Sequence, residues 1–126
     1  MTPTSIFCGD TNIDTYPELE PLLSAGYTDS WLETHPEFAH SPDLREVGVT
    51  FGTAGLRGSD APSNSEGPPR RLDYVMARGM KVKGCKLLGD ELIPKENWAG
   101  SPEEEELELE PYVSDHLGVL VDVELL

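Results

Sequence analysis

Short apolar runs separated by turn residues predict strands along much of this chain. The run at residues 5–8 is Ser-Ile-Phe-Cys, and we interpret it as a buried strand that Gly9 ends. The run at residues 117–125 alternates valine with polar residues, which predicts one face on the core and one face toward solvent. The predicted strands are residues 5–8, 47–51, 72–76, 80–89 and 117–125.

Two short helices are predicted between the first two strands. Residues 16–18, Tyr-Pro-Glu, suit a helix start, because proline is tolerated in the first turn and an acid is favourable at the positive end. Leucines then form one apolar face, and Gly26 ends the helix. Thr28 or Asp29 can cap a second helix over residues 30–33.

The order of these elements predicts a mixed α/β (α+β) fold with a mostly antiparallel sheet. The last strands lack crossover helices between them, which favours a mixed layer over a doubly wound parallel sheet. The 126 residues suffice for one small domain, so we assign residues 1–126 to a single domain. Residues 52–70, which contain almost no apolar side chains, and residues 90–111, which contain a run of glutamates, are predicted to be flexible loops.

The net charge of the chain indicates which classes of partner it is suited to bind. The chain has 24 acidic and 9 basic residues, a net charge of −15, which disfavours non-specific binding to a nucleic-acid backbone. Six glutamates lie in residues 103–110, which we interpret as a solvated loop, with an acidic docking surface for a partner as the alternative. Cys8 and Cys85 are interpreted as buried reduced thiols.

The sequence also bears on localisation. No run of 18 apolar residues occurs, so no transmembrane helix is predicted. The N-terminus lacks the basic start and apolar stretch of a signal peptide. We therefore expect an intracellular protein, in the nucleus or the cytoplasm.

Polar residues at strand ends are the candidates for chemistry. Asp10 and Asn12 follow the first strand, Asp73 lies within the strand at 72–76, and Asp115 and His116 precede the last strand. Each of these signals alone is commonly a turn or a structural residue. An acid among apolar neighbours, such as Asp73, needs a donor, because burying an unpaired carboxylate is costly.

Taken together, these residues can form one site. Asp73 could accept the Nδ1 proton of His116, which leaves Nε2 facing a substrate. Asp10 could act as the base for an attacking water, and Asn12 could donate to an oxygen that gains charge. Asp115 is a hard oxygen ligand suited to Mg²⁺ or Mn²⁺. This set suits in-line hydrolysis of a phosphodiester.

Three segments resemble motifs of a known family. GDTN (9–12), RLDYVM (71–76) and SDHLGVLVDVEL (114–125) resemble, in order and spacing, the last three motifs of the endonuclease/exonuclease/phosphatase superfamily. The resemblance implies the DNase I-like fold, a four-layer αββα sandwich, of which this chain would be the C-terminal half. Arg70 and Arg71 lie next to the strand that carries Asp73, and we interpret them as a surface pair, with contact to a phosphate as the alternative.

The resemblance also implies residue roles. Asp10 would orient or deprotonate the attacking water, and Asn12 would contact the scissile phosphate. Asp73 would hydrogen-bond His116, and the histidine would stabilise the transition state of the phosphate. Asp115 would help to hold the divalent metal, Mg²⁺ or Mn²⁺. These roles agree with those inferred from the chemistry of the residues.

The substrate remains open at this point. GDTN and YTDSW (27–31) resemble the tyrosyl-DNA phosphodiesterase 2 branch, which implies a DNA phosphodiester, such as a 5′-tyrosyl adduct, and a role in DNA repair. A sphingolipid or inositol phosphate is an alternative that the negative charge favours. A third interpretation is a catalytically inactive half-domain that binds a partner.

The motifs of the family's first half, including its metal-binding glutamate, are not found in this sequence. We therefore expect an N-terminal half of the same domain to be missing from the chain. Loss of one ligand or donor commonly costs a factor of about 10² or more, so negligible phosphodiesterase activity is expected from this chain alone. A half-sandwich is also expected to expose an apolar sheet face.

Overall fold

A computed structural model describes residues 3–39, 48–51, 70–89 and 116–126, and the fold is that of these residues. They form five strands, two α-helices and two short 3-10 turns, in agreement with the predicted α+β class. The strands are β1 (Ser5–Asp10), β2 (Thr28–Asp29), β3 (Asp73–Arg78), β4 (Met80–Leu88) and β5 (Gly118–Leu125). The helices are α1 (Glu20–Ser24) and α2 (Ser30–Thr34), and the 3-10 turns are Tyr16–Leu19 and Pro36–Phe38.

All strand pairs in the described residues are antiparallel, as predicted, but they form two sheets. β3 lies in the centre of the first sheet, between β1 and β2. β4 and β5 form the second sheet. The predicted loops at 52–70 and 90–111 lie outside the described residues, apart from Arg70.

The prediction of a strand at 47–51 is wrong for residues 48–51, the part of this range that the structure describes. Within 48–51 only Phe51 makes β-bridges, to Arg70 and to His116. Gly48 has a φ of 61°, a conformation that suits glycine, and a side-chain carbon there would lie 2.8 Å from the ring of Trp31. The segment therefore bends around the Trp31 ring instead of continuing as a strand.

Capping residues mark the start of the first 3-10 turn and the start of α2. The Glu18 Oε1 atom accepts a hydrogen bond from the Thr15 N–H at 3.0 Å, at the start of the first 3-10 turn. Asp29 caps α2 through its Oδ1 atom, which accepts from the Trp31 N–H at 3.1 Å. The predicted cap is thus confirmed at Asp29. None of the helices in the described ranges is long and apolar enough to cross a membrane.

The hydrophobic core lies between the helical segment and one face of the first sheet. Leu19, Tyr74 and Met76 form its centre, and all three are almost fully buried. The predicted leucine face of the first helix is confirmed, because leucines of this segment pack around that centre. The partly buried residues around it are Ile13, Tyr16, Leu22, Leu23 and Tyr27.

Strand β1 differs from its prediction in length and in burial. It continues through Gly9 to Asp10, and the side chains of Ile6 and Phe7 are 49% and 40% exposed. Cys8 is exposed as well, so its predicted burial is wrong. β1 is an edge strand that pairs with β3, and the core is built on β3 instead. Ile6 and Phe7 are consecutive in the strand, so their side chains point to opposite faces of the sheet. The expectation of one exposed apolar sheet face therefore stays a prediction.

A buried ion pair joins the start of α2 to the start of β3. Arg71 and Asp29 are 2% and 4% exposed, so the prediction of a surface arginine is wrong at Arg71. Its Nη2 atom donates to Asp29 Oδ2 at 2.7 Å and its Nη1 atom to Oδ1 at 3.2 Å. The guanidinium carbon also lies 4.4 Å from the centre of the Tyr74 ring. This pair fixes α2 against the central strand.

Removing one charge of this pair should be strongly destabilising. Asp29→Asn leaves the buried Arg71 guanidinium without its counter-charge, so we expect the free energy of unfolding to fall by about 3–5 kcal/mol. Urea denaturation followed by circular dichroism measures this change. The control is Glu124→Gln, which breaks the exposed Lys83–Glu124 pair and should cost at most about 1 kcal/mol. Equal losses in the two variants would contradict the structural role of the buried pair.

The two cysteines should differ in reactivity. Burial raises the pKa of the Cys85 thiol to about 11, with a further rise from Asp29 that Arg71 opposes. A raised pKa lowers the thiolate fraction, and the thiolate is the reactive form. We expect iodoacetamide at pH 8.5 to alkylate the exposed Cys8 at least about tenfold faster than Cys85. Peptide mass spectrometry over time measures both rates, and faster modification of Cys85 would contradict the expectation.

Candidate functional site

Two carboxylates lie side by side where β1 and β3 end their pairing. Asp10 is the register partner of Asp73, the last pair of this antiparallel ladder. Directly opposite residues in such a ladder share a face, with Cβ atoms about 5 Å apart. β1 reaches this position because it runs on past Gly9. The register thus brings together two of the predicted site residues, which are distant in sequence.

His116 joins this pair through Asp73. Its Nδ1 atom lies 2.7 Å from Asp73 Oδ2, and the two side chains are 26% and 21% exposed. The contact that the sequence predicts between these residues is therefore present. An ionised carboxylate can only accept, so Nδ1 carries the proton in this hydrogen bond. The bond fixes the ring orientation and the tautomer.

Phe51 packs against the histidine and sets the position of its ring. The two ring centroids lie 4.8 Å apart with an interplanar angle of 48°. Phe51 also forms a β-bridge with His116 and another with Arg70. The aromatic ring thus supports the side of the imidazole, while Asp73 holds its Nδ1 edge.

Thr50 connects the segments that carry Asp73 and His116. This residue is fully buried, and its Oγ1 atom accepts from the Leu72 N–H at 3.0 Å and the Asp73 N–H at 3.1 Å. Its backbone oxygen accepts from the Leu117 N–H at 2.7 Å. One residue therefore sets the distance between the aspartate and the histidine.

Sequence reasoning did not identify Thr50 as a site residue. A signal was present, since a threonine between Val49 and Phe51 in an apolar run places a hydroxyl where burial is expected. Buried hydroxyls take hydrogen-bond partners. The sequence could not show which distant backbone groups those partners are.

The loop after β1 is tied to the start of β3. Thr11 donates to the Leu72 carbonyl twice, from its backbone N–H at 2.8 Å and from its hydroxyl at 2.9 Å. Asn12 is exposed, with a φ of 50°, and its backbone N–H donates to Asp10 Oδ1 at 3.1 Å. The structure thus places Asn12 beside Asp10, and the contact between them is made by the Asn12 backbone.

The predicted metal ligand cannot be placed, since Asp115 lies outside the described residues. Within the described ranges, no group of three or more His, Cys, Asp or Glu residues is arranged to hold a metal ion. Asp10 and Asp73 by themselves do not make such a site. A Mg²⁺ or Mn²⁺ ion at this position therefore stays a prediction.

Comparison of the chain with models of protein families, with curated proteins and with solved structures finds no match in any of the three. A function for this chain is therefore inferred from the geometry of Asp10, Asp73 and His116.

Removing the Thr50 hydroxyl should weaken both the fold and the site. Thr50→Val leaves the buried Leu72 N–H and the partly buried Asp73 N–H without their acceptor, so we expect a loss of about 2 kcal/mol or more in unfolding free energy. Nuclear magnetic resonance should also show a changed environment for the His116 ring. The same substitution at Thr28, an exposed residue of β2, should be near neutral. A Thr50→Val protein as stable as wild type would contradict this role.

Proposed function

We propose that this chain carries catalytic residues of a metal-dependent phosphodiesterase of the endonuclease/exonuclease/phosphatase type. The observation that carries the proposal is the 2.7 Å hydrogen bond between Asp73 and His116, two residues that are 43 positions apart. The pairing of Asp10 with Asp73 adds a second carboxylate beside it. In this proposal the five strands belong to the C-terminal half of a four-layer αββα sandwich.

Each residue then has a defined chemical task. Asp10 accepts a proton from the water that attacks phosphorus. His116, held by Asp73 at Nδ1, donates from Nε2 in its protonated form to a phosphate oxygen that gains charge. Asn12 supplies a neutral donor to the same phosphate. The leaving oxygen departs in line with the attacking water and takes its proton from solvent.

A divalent ion is part of this proposal. Mg²⁺, or Mn²⁺, would neutralise charge on the phosphate oxygens when bound. Asp115 is the residue that we propose as its ligand. The tasks of Asp10, Asn12 and His116 do not depend on where the ion lies.

The substrate proposed first is a DNA phosphodiester, with the 5′-tyrosyl adduct of DNA repair as the specific candidate. This would place the protein in the nucleus or the cytoplasm. The net charge of −15 disfavours a long polyanion, so a sphingolipid or inositol phosphate is the alternative substrate. Competition between these compounds in one hydrolysis assay distinguishes them.

The test uses an activated diester, because the sequence predicts negligible activity of this chain alone on an ordinary substrate. We expect the chain with Mg²⁺ to hydrolyse bis(p-nitrophenyl) phosphate slowly but above the buffer rate. His116→Gln and Asp10→Asn should each reduce the rate to that of buffer alone, because each removes a group that acts on the transition state. Release of p-nitrophenolate measures the rate.

Matched controls separate chemistry from folding. His35→Gln changes a histidine that stacks on Trp31, and Asp122→Asn changes an exposed carboxylate of β5. Both controls should keep the wild-type rate. Hydrolysis that survives His116→Gln would contradict the proposal. No rate above buffer in the wild type would also contradict it and would favour a partner-binding half-domain.

A further inference from the structure

Arg70 lies next to the candidate site, on the segment that precedes β3. Its backbone pairs with Phe51 in both directions, with N–O distances of 3.0 Å. Phe51 also contacts His116, and the Arg70 guanidinium carbon lies 5.7 Å from the centre of the Phe51 ring. The guanidinium and the imidazole therefore contact the same aromatic ring, and the guanidinium brings positive charge to the site.

The other two arginines of the described residues are placed differently. Arg71 is buried and paired with Asp29. Arg78 lies at the far end of β3, where it donates to the Ala25 carbonyl and contacts the Tyr27 ring. Of the arginines in the described residues, Arg70 is thus the one that a ligand at Asp73 and His116 would meet.

The present partner of Arg70 is Asp14, at 2.6 Å from its Nη1 atom. The two side chains are 29% and 68% exposed, so water screens this pair strongly. Exposed ion pairs contribute little to stability, and one partner can be exchanged for another anion. Asp14 belongs to the loop after β1 that also carries Asn12, so the pair joins this loop to the segment before β3.

From this arrangement we infer that Arg70 is a phosphate-binding residue of the site and that Asp14 competes with the phosphate for it. The inference rests on the proposed function, which it extends by naming the cation that binds the anionic diester. A guanidinium can bind two phosphate oxygens through parallel N–H bonds, whereas Asp14 contacts Arg70 through the single bond from Nη1 at 2.6 Å. Binding of substrate would then replace one anion by another at Arg70.

The test measures binding without hydrolysis. Diphenyl phosphate, a stable phosphodiester anion, is titrated into the full chain in buffer without Mg²⁺, and chemical shifts of backbone amides report its affinity. Arg70→Gln should weaken binding by about tenfold or more, because a charge-assisted contact is lost. Asp14→Asn should strengthen binding by about two- to fivefold, because the competing charge is removed. Arg78→Gln should leave the affinity unchanged.

Circular dichroism first establishes that each variant is folded. If Arg70→Gln does not fold, Asp14→Asn decides the question, because its effect has the opposite sign to a loss of structure. Unchanged affinity in Arg70→Gln, or weaker binding in Asp14→Asn, overturns the inference.

The outcome is separable from that of the hydrolysis assay. Hydrolysis that depends on His116 but is indifferent to Arg70→Gln, in both rate and KM, overturns the inference and leaves the proposed function standing. Binding of diphenyl phosphate that depends on Arg70, in a chain without hydrolytic activity, supports the inference and contradicts the function.

Discussion

The hydrogen bonds of the buried Thr50 hydroxyl and backbone hold together the part of the molecule that carries the site. A buried hydroxyl needs hydrogen-bond partners, and the Thr50 hydroxyl accepts from backbone N–H groups at the start of β3. The Thr50 carbonyl accepts from the backbone N–H of Leu117, just before β5. Asp73 and His116 lie directly beside these anchored groups. Their 2.7 Å contact therefore follows from the backbone positions that Thr50 imposes.

Two neighbouring arginines have different roles, because their side chains lie in different surroundings. Arg70 and Arg71 are adjacent in the chain, yet one is partly exposed and the other buried. In extended backbone, consecutive side chains point to opposite sides. Arg71 therefore reaches inward to Asp29, where its charge is paired and fixed. Arg70 reaches outward to Asp14, where solvent weakens the ion pair and leaves the guanidinium exchangeable.

Much of the fold could be predicted because local signals agreed with it. The leucine face at residues 19–23 and the Asp29 cap depend on near neighbours, and both occur in the structure. The contact of Asp73 with His116 was also predictable, since an acid inside an apolar strand requires a donor. Predictions of burial were poorer, as Phe7 and Arg71 show. An apolar run indicates a strand, but it does not say whether that strand lies at the centre or the edge of a sheet.

The sequence by itself determined the residue types of the candidate site and most of the strands and helices, because periodicity, caps and turn residues act over a few positions. Tertiary structure alone decided which residues meet. The β1–β3 register placed Asp10 opposite Asp73, and one buried hydroxyl joined segments more than 20 residues apart. Tertiary structure also decided that the Arg71 side chain is buried and that the Arg70 side chain is partly exposed. These outcomes depend on packing between distant segments, which no local pattern of residues encodes.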